Sequence, residues 1–267
     1  MTQIKLHTWG AGPPILLLHA FPLNAGMWEP QVQALSASAT LVAPDLPGFG
    51  DSAEAPSFDS LDSLAGTLYD MLRALGIEQT VVAGCSMGGY LAFALLRAAP
   101  NFVTRLALLN TKPTRDSEQA RANRLALAER VEREGCAFLV EEWDRGALSP
   151  VTLASKPAVV DCVRALIQEA TPRGVAAAQR AMANRPDSSA LLPQIGIPTL
   201  VLHGLDDRII SEQEARAMAD AIKGAQFVGI PDAAHLPNLE RPEIVSETLA
   251  RFFPSQGRSL GHRSSPQ

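Results

Sequence analysis

The chain is punctuated by short apolar runs that have no polar face. Ile15–His19, Leu41–Ala43, Thr80–Ala83, Arg105–Leu109, Thr199–His203 and Gln226–Ile230 are each followed by Gly, Pro or Asn, the first after two further residues. Runs this short and this uniformly apolar read as strands covered on both faces. The segments between them carry helical periodicity. Leu61, Leu64, Leu68, Met71, Leu72 and Leu75 fall on one helical face, which Gly76 ends. Met87–Ala99 reads as a second helix closed before Pro100. Glu212–Ile222 reads as a third, capped by Ser211 and ended by Gly224, and Pro242–Phe253 as a fourth, with proline in its first turn. Strands alternating with helices predict the α/β class, a mostly parallel central sheet flanked by helices on both faces.

One stretch interrupts the alternation. Residues 113–190 show helical patterns and no strand, and Pro150, Pro157, Pro172 and Pro186 divide them into about four short helices. They hold 11 basic and 11 acidic residues, whereas the rest of the chain holds 12 basic and 17 acidic, so the net charge of -5 belongs to the remainder. Such a stretch is either a set of solvated surface helices or a cap lying over a site. Its position after the fourth strong strand pattern favours an inserted helical cap. The expected organisation is a core of 1–112 and 191–254, a cap of 113–190, and a polar tail of 255–267 that is expected to be disordered.

Composition removes several function classes. The balance is mildly acidic with no long basic run, so nucleic acid is not an expected partner. No apolar stretch approaches the roughly 20 residues of a membrane span. Met1–Gly10 lacks the basic and apolar regions of a secretory signal. The cysteines, Cys85, Cys136 and Cys162, are too few and of the wrong parity for a disulfide framework, and fit a reducing, cytoplasmic setting. The five histidines are scattered, with no cluster at zinc spacing, so a metal is not expected.

The chemistry-bearing motif is Gly84-Cys85-Ser86-Met87-Gly88, a G-x-S-x-G between a strand pattern and a helix pattern. A sharp strand-to-helix turn would strain the middle residue and leave Ser86 projecting above the sheet, over a helix N-terminus that favours negative charge. Cys85, one place earlier, is expected to be a packing residue. A serine hydroxyl needs a base, and the base an orienting acid. On this architecture the order is Ser, then Asp or Glu, then His. Thr199–His203 ends in the acidic turn Gly204-Leu205-Asp206-Asp207, and the run ending at Ile230 leads into a loop carrying His235. Both fall at the carboxyl ends of strands, where open α/β sheets form sites. His235 is the base candidate, while His203 lies within a strand and reads as a packing residue.

Five ordered blocks, His19-Ala-Phe-Pro22, Asp45-Leu-Pro-Gly-Phe-Gly-Asp-Ser52, Gly84-Cys-Ser-Met-Gly-Gly89, Gly204-Leu-Asp-Asp207 and His235-Leu-Pro-Asn-Leu-Glu-Arg-Pro242, span Ile15 to Phe253. In these blocks the chain resembles α/β-hydrolases of the small esterase, 3-oxoadipate enol-lactonase-like and cofactor-free haloperoxidase-like group. The resemblance implies the α/β-hydrolase fold, Ser86 as nucleophile, His235 as base, and Asp207 rather than Asp206 as the acid. Asp232 is expected to be structural. It also implies an oxyanion hole from the backbone N–H groups of Phe21 and Met87. Relatives often carry glycine where this chain has Ala20, which adds a Cβ beside that loop.

The function expected from these residues is hydrolysis of small carboxylic esters or lactones through an acyl-enzyme on Ser86. The serine chemistry that the resemblance implies is also expected to need no cofactor. Phe21, Leu23, Trp28, Met87, Trp143 and Leu236 are candidate pocket walls. An enol-lactonase-like substrate would be anionic and would need a cation from Arg124, Arg145 or Arg180. The same triad also suits a cofactor-free perhydrolase, with peroxide replacing water. A non-catalytic binding protein on this fold is the remaining reading, although no triad member is missing.

Overall fold

The computed structural model describes residues 4–253; the tail from 255 lies outside them, as do the side chains of Asp144 and Arg145. Seven strands form one sheet: β1 Leu6–Trp9, β2 Pro14–Leu18, β3 Thr40–Pro44, β4 Thr80–Cys85, β5 Val103–Leu109, β6 Thr199–Gly204 and β7 Gln226–Ile230. Their order across the sheet is β1-β3-β2-β4-β5-β6-β7. Every pair is parallel except β1 with β3. β4, β6 and four of the five residues of β2 are buried, as expected of strands covered on both faces.

The expected helices are present. They are α2 Leu61–Ala74, α3 Met87–Ala98, α9 Glu212–Ala221 and α11 Pro242–Phe252, preceded by α1 Glu29–Leu35. Reciprocal capping boxes start α2 (Ser60 with Ser63) and α9 (Ser211 with Glu214). Besides a short helix after β7, two elements escaped the sequence reading. β1 is four residues at the sheet edge, two of them polar, and α1 is seven residues with proline in its first turn; neither is long enough to show a period.

Between β5 and β6 lie five helices: α4 Glu118–Glu134, α5 Ala137–Ala147, α6 Pro150–Ser155, α7 Pro157–Gln168 and α8 Pro172–Ala183. The sequence suggested about four. Pro150, Pro157 and Pro172 open α6, α7 and α8, as a first-turn proline should. The additional break falls between α4 and α5 at Gly135, in a left-handed conformation with φ +78°, where no proline signals it. Pro186 opens no helix. A short helix, α10 Pro237–Glu240, follows β7.

The parallel register brings the carboxyl ends of β2, β4, β5, β6 and β7 to one edge. Leu18 pairs with Gly84, Gly84 with Leu108, Leu109 with Leu202, and Gly204 with Ile230. The chain leaves β2 toward β3 on one side and β4 toward β5 on the other. The crevice between β2 and β4 is therefore the topological switch point, where such sheets place their sites.

The helical segment docks onto this edge through a close backbone contact. Thr171, the N-cap of α8, donates to the Gly48 carbonyl through its N–H (2.8 Å) and its hydroxyl (3.0 Å). A Cβ on Gly174 would stand 2.5 Å from the Gly48 Cα. Gly174→Ala must push α8 off this loop. The expected cost is about 1–3 kcal/mol, which lowers Tm by roughly 2–10 °C. Differential scanning calorimetry checks it.

Candidate active site

Gly84 and Gly88 let β4 turn directly into α3. A Cβ on Gly84 would meet the Gly88 carbonyl at 2.3 Å, and one on Gly88 would meet the Leu18 carbonyl at 2.1 Å. Between them Ser86 is held at φ 51°, ψ −112°, a conformation that side-chain-bearing residues avoid. Four hydrogen bonds fix it there. Its N–H donates to the Leu109 carbonyl (2.9 Å), and its carbonyl accepts from the Thr111 hydroxyl (2.9 Å) and from the N–H groups of Gly89 (2.9 Å) and Tyr90 (3.2 Å).

The loop after β7 brings His235 to this serine. Nε2 of His235 lies 2.8 Å from the Ser86 Oγ, and Nδ1 lies 2.8 Å from Oδ2 of Asp207. A carboxylate only accepts, so Nδ1 carries the proton and Nε2 is free to accept from the serine hydroxyl. The Asp207 side chain has no exposed surface. Burial works to raise its pKa, but His235, the Asn110 amide and the Ile209 N–H together hold it below the usual carboxylate range. Asp207 is therefore ionised beside the His235 imidazole, from which it accepts.

Asn110 is a residue that the sequence reading missed. It follows β5 in a left-handed conformation, φ 44°. Its amide nitrogen donates to Asp207 (2.7 Å) and to the Ala234 carbonyl (3.0 Å), while its oxygen accepts from the Gly204 N–H (3.2 Å). It ties the acid's turn to the histidine's loop. The only sequence signal was an asparagine directly after a strand pattern.

The other expected residues fall into two groups. Asp206 is exposed, and Asp232 is paired with Arg241 at 2.8 Å, away from His235. Cys85 is buried, with its sulfur 3.7 Å from the His235 carbonyl, and burial pushes its thiol pKa far up. His203 is fully buried with neither ring nitrogen hydrogen-bonded. The N–H groups of Phe21 and Met87 have no acceptor among the described residues. Met87 is the first residue of α3, so its N–H belongs to the helix's unsatisfied turn.

His19 shapes the loop that carries Phe21. Its Nδ1–H donates to the Ala20 carbonyl (3.0 Å), and its Nε2 accepts from the Leu46 N–H (3.0 Å). Burial lowers its pKa to about 4, which keeps the ring neutral. Ala20 has no left-handed backbone, so its Cβ brings no backbone strain to that loop.

A cavity of about 230 Å³ opens at Ser86. Phe21, Tyr90, Ile209 and His235 form its floor, with Leu127, Trp143 and Met182 among its roof residues. Trp143 stacks edge-on to His235, with ring centroids 6.4 Å apart. Leu23, Trp28, Met87 and Leu236, expected as pocket walls, are instead fully buried in the packing beneath. A larger groove between β1 and α2 holds none of these residues.

Arg124 of α4 reaches the cavity. Its Nε donates to Asp116 (2.6 Å) and its Nη1 to the Gln179 oxygen (3.2 Å). Asp116 is shared with Arg185 (2.8 Å), which lies over the Tyr90 ring. Burial opposes ionisation of Asp116, but the two guanidiniums outweigh it and lower its pKa. Of the other candidate cations, Arg180 is committed to Glu132 at 2.6 Å on the surface, and the Arg145 side chain lies outside the described residues.

This sheet, elbow and triad geometry define a class, and comparison with known proteins agrees. Residues 15–248 match the alpha/beta hydrolase family, and the chain belongs to that family. It is 31% identical to 3-oxoadipate enol-lactonase 1 of Acinetobacter baylyi, covering 91% of this chain and 89% of the relative. It is 29% identical to the dihydrolipoyllysine-residue acetyltransferase component of the acetoin cleaving system of Pseudomonas putida, of which it covers 64%. Among solved structures, a thermophilic esterase from Thermogutta terrifontis with malate bound superposes with a TM-score of 0.90. It shares 41% identity, over 93% of this chain and 92% of that one. Among the described residues, no helix is long and apolar enough to cross a membrane.

Buried neutral histidines make stability depend on pH. His19 and His203 both have native pKa values lowered from 6.5, chiefly by burial. The unfolded chain therefore binds more protons than the native one as pH falls below about 6.5, and stability declines from there toward pH 4. Thermal melts in matched buffers should give a lower Tm at pH 5.2 than at pH 7. An unchanged Tm would contradict the neutral buried state.

Proposed function

We propose that this protein hydrolyses small carboxylic esters or lactones through an acyl-enzyme on Ser86. The observation that carries the reading is the unbroken chain from Ser86 Oγ through His235 to Asp207, both links 2.8 Å, at the mouth of a small cavity. As the serine oxygen attacks the carbonyl carbon, Nε2 of His235 takes its proton. Asp207 stabilises the imidazolium and keeps the ring oriented. The carbonyl oxygen gains negative charge and is received by the unpaired N–H groups of Phe21 and Met87. The imidazolium then protonates the departing alkoxide, and water repeats the sequence to release the acid. The enol-lactonase and esterase relatives support this substrate chemistry, and residues 113–190 act as a cap that roofs the cavity through α4, α5 and α8.

The lining further favours substrates that carry a second, anionic group. Arg185 and Arg124 share one carboxylate, which leaves a positive charge in the wall. The Gln179 oxygen faces Arg124, so its amide NH₂ is left over as a donor; the Asn123 oxygen accepts from Gln119 (2.9 Å), so its NH₂ is left over too. A wall of donors around a guanidinium suits a carboxylate. The bound malate of the esterase relative is consistent with this.

Ser86→Ala should lower kcat on p-nitrophenyl acetate by at least about 10³-fold; equal activity in the two proteins would sink the proposal. Arg124→Gln should reduce the preference for mono-p-nitrophenyl glutarate over p-nitrophenyl butyrate, as the ratio of kcat/KM values. The expected loss is about 10- to 100-fold, the range of a charge-assisted hydrogen bond. A ratio insensitive to the change would remove Arg124 from recognition.

A further inference from the structure

The last of the five sequence blocks, His235 to Pro242, contains a carboxylate that the proposed mechanism leaves unused. Glu240 ends α10 and is fully buried. Among the described residues it enters no ion pair through its side chain; the Lys156 ammonium instead reaches its main-chain carbonyl. A buried carboxylate without a cation is costly unless its oxygens are hydrogen-bonded. Each oxygen here takes one main-chain N–H. Oε1 accepts from Ala234 at 2.8 Å, and Oε2 accepts from Ser149 at 2.7 Å.

The two donors belong to different parts of the molecule. Ala234 immediately precedes His235 in the loop after β7, whereas Ser149 is the N-cap of α6 in the helical segment. The same two stretches meet twice more. His235 donates its own N–H to the Ala147 carbonyl at 2.9 Å, and the Ser149 hydroxyl donates to the Asp232 carbonyl at 3.3 Å. The backbone that aims the imidazole is thus bonded directly to the segment that roofs the cavity. The Glu240 carboxylate takes one N–H from each stretch. Neither glutamine nor alanine can replace it. The amide offers one acceptor and turns its NH₂ toward the second N–H, and the methyl leaves two buried donors unpaired.

We infer that Glu240 is a positioning residue. It clamps the His235 loop to the cap, so that the imidazole is aligned on Ser86 when the cap is seated. The inference rests on the reading of His235 as the base. Its consequence is a defect in turnover rather than in substrate affinity, because Glu240 lines no part of the cavity.

The test compares wild type, Glu240→Gln and Glu240→Ala on p-nitrophenyl butyrate, at a temperature where circular dichroism shows all three folded. The expected loss in kcat is about 10-fold for the amide and about 100-fold for alanine, the range set by one or two unpaired buried donors, with KM within about threefold. The downfield proton signal of His235 Nδ1–H should broaden or vanish in both variants. A lowered Tm with unchanged kcat and an unchanged proton signal would show a purely structural residue and overturn the inference. Hydrogen exchange in the wild type needs no variant: the Ala234 and Ser149 amides should be strongly protected and exchange together. Fast or uncorrelated exchange of either would also overturn it. If wild type and Ser86→Ala hydrolyse the ester equally, the hydrolase reading fails, while the proton signal and the exchange data still decide whether Glu240 positions His235.

Discussion

The sharp turn from β4 into α3 is the constraint on which the remaining geometry depends. Ser86 is held in a backbone conformation that a side chain ordinarily avoids, and the turn survives because its neighbours permit no other path. Gly88 lies against the Leu18 carbonyl of β2, Gly84 against Gly88, and the Ser86 N–H reaches across to Leu109 of β5. Three adjacent strands therefore fix one hydroxyl. Any shift in their register would move Ser86 relative to the loops after β6 and β7, and the two 2.8 Å links to His235 and Asp207 would be lost.

Around that fixed point the molecule orders its polar groups by burial. The Asp207 carboxylate is sealed from water and held ionised by donors from three segments, Asn110, Ile209 and His235. Two other histidines, His19 and His203, are sealed in without a carboxylate at hydrogen-bond distance and stay neutral. The same side-chain type thus links Ser86 to Asp207 in one place and packs the interior in others. The difference is the partner at Nδ1: an ionised carboxylate for His235, a peptide carbonyl for His19, nothing for His203.

Much of this was legible in the sequence, because it depends on local patterns. Ser86 was marked by its flanking glycines and by the strand and helix patterns on either side. His235 was marked by its place after the last strand run, and Cys85 could be set aside by its position in the turn. Asp207 against Asp206 was separable only by resemblance, since both stand in the same acidic turn. Four of the six expected pocket walls were not walls. Leu23, Trp28, Met87 and Leu236 are large and apolar, which predicts burial equally well in a cavity lining or in the packing below it. Asn110 carries no periodic or motif signal that distinguishes it from other polar residues near a strand end, and Glu240, although inside the block His235–Pro242, has no spacing that gives it a role.

The sequence by itself determined the alternating architecture, the elbow, and the order in which Ser86, the acidic turn and His235 follow one another. These follow from side-chain period, from glycine's missing Cβ and from strand-end loops, all of which act within a few residues of chain. Only the tertiary structure decided which groups meet across it. It brought Arg124 to the cavity that Ser86 lines while committing Arg180 to Glu132, and it placed the Glu240 carboxylate between Ala234 and Ser149. Those choices depend on how the helical segment packs onto the sheet edge. Hydrogen bonds between residues tens of positions apart are set by that packing and leave no period in the chain.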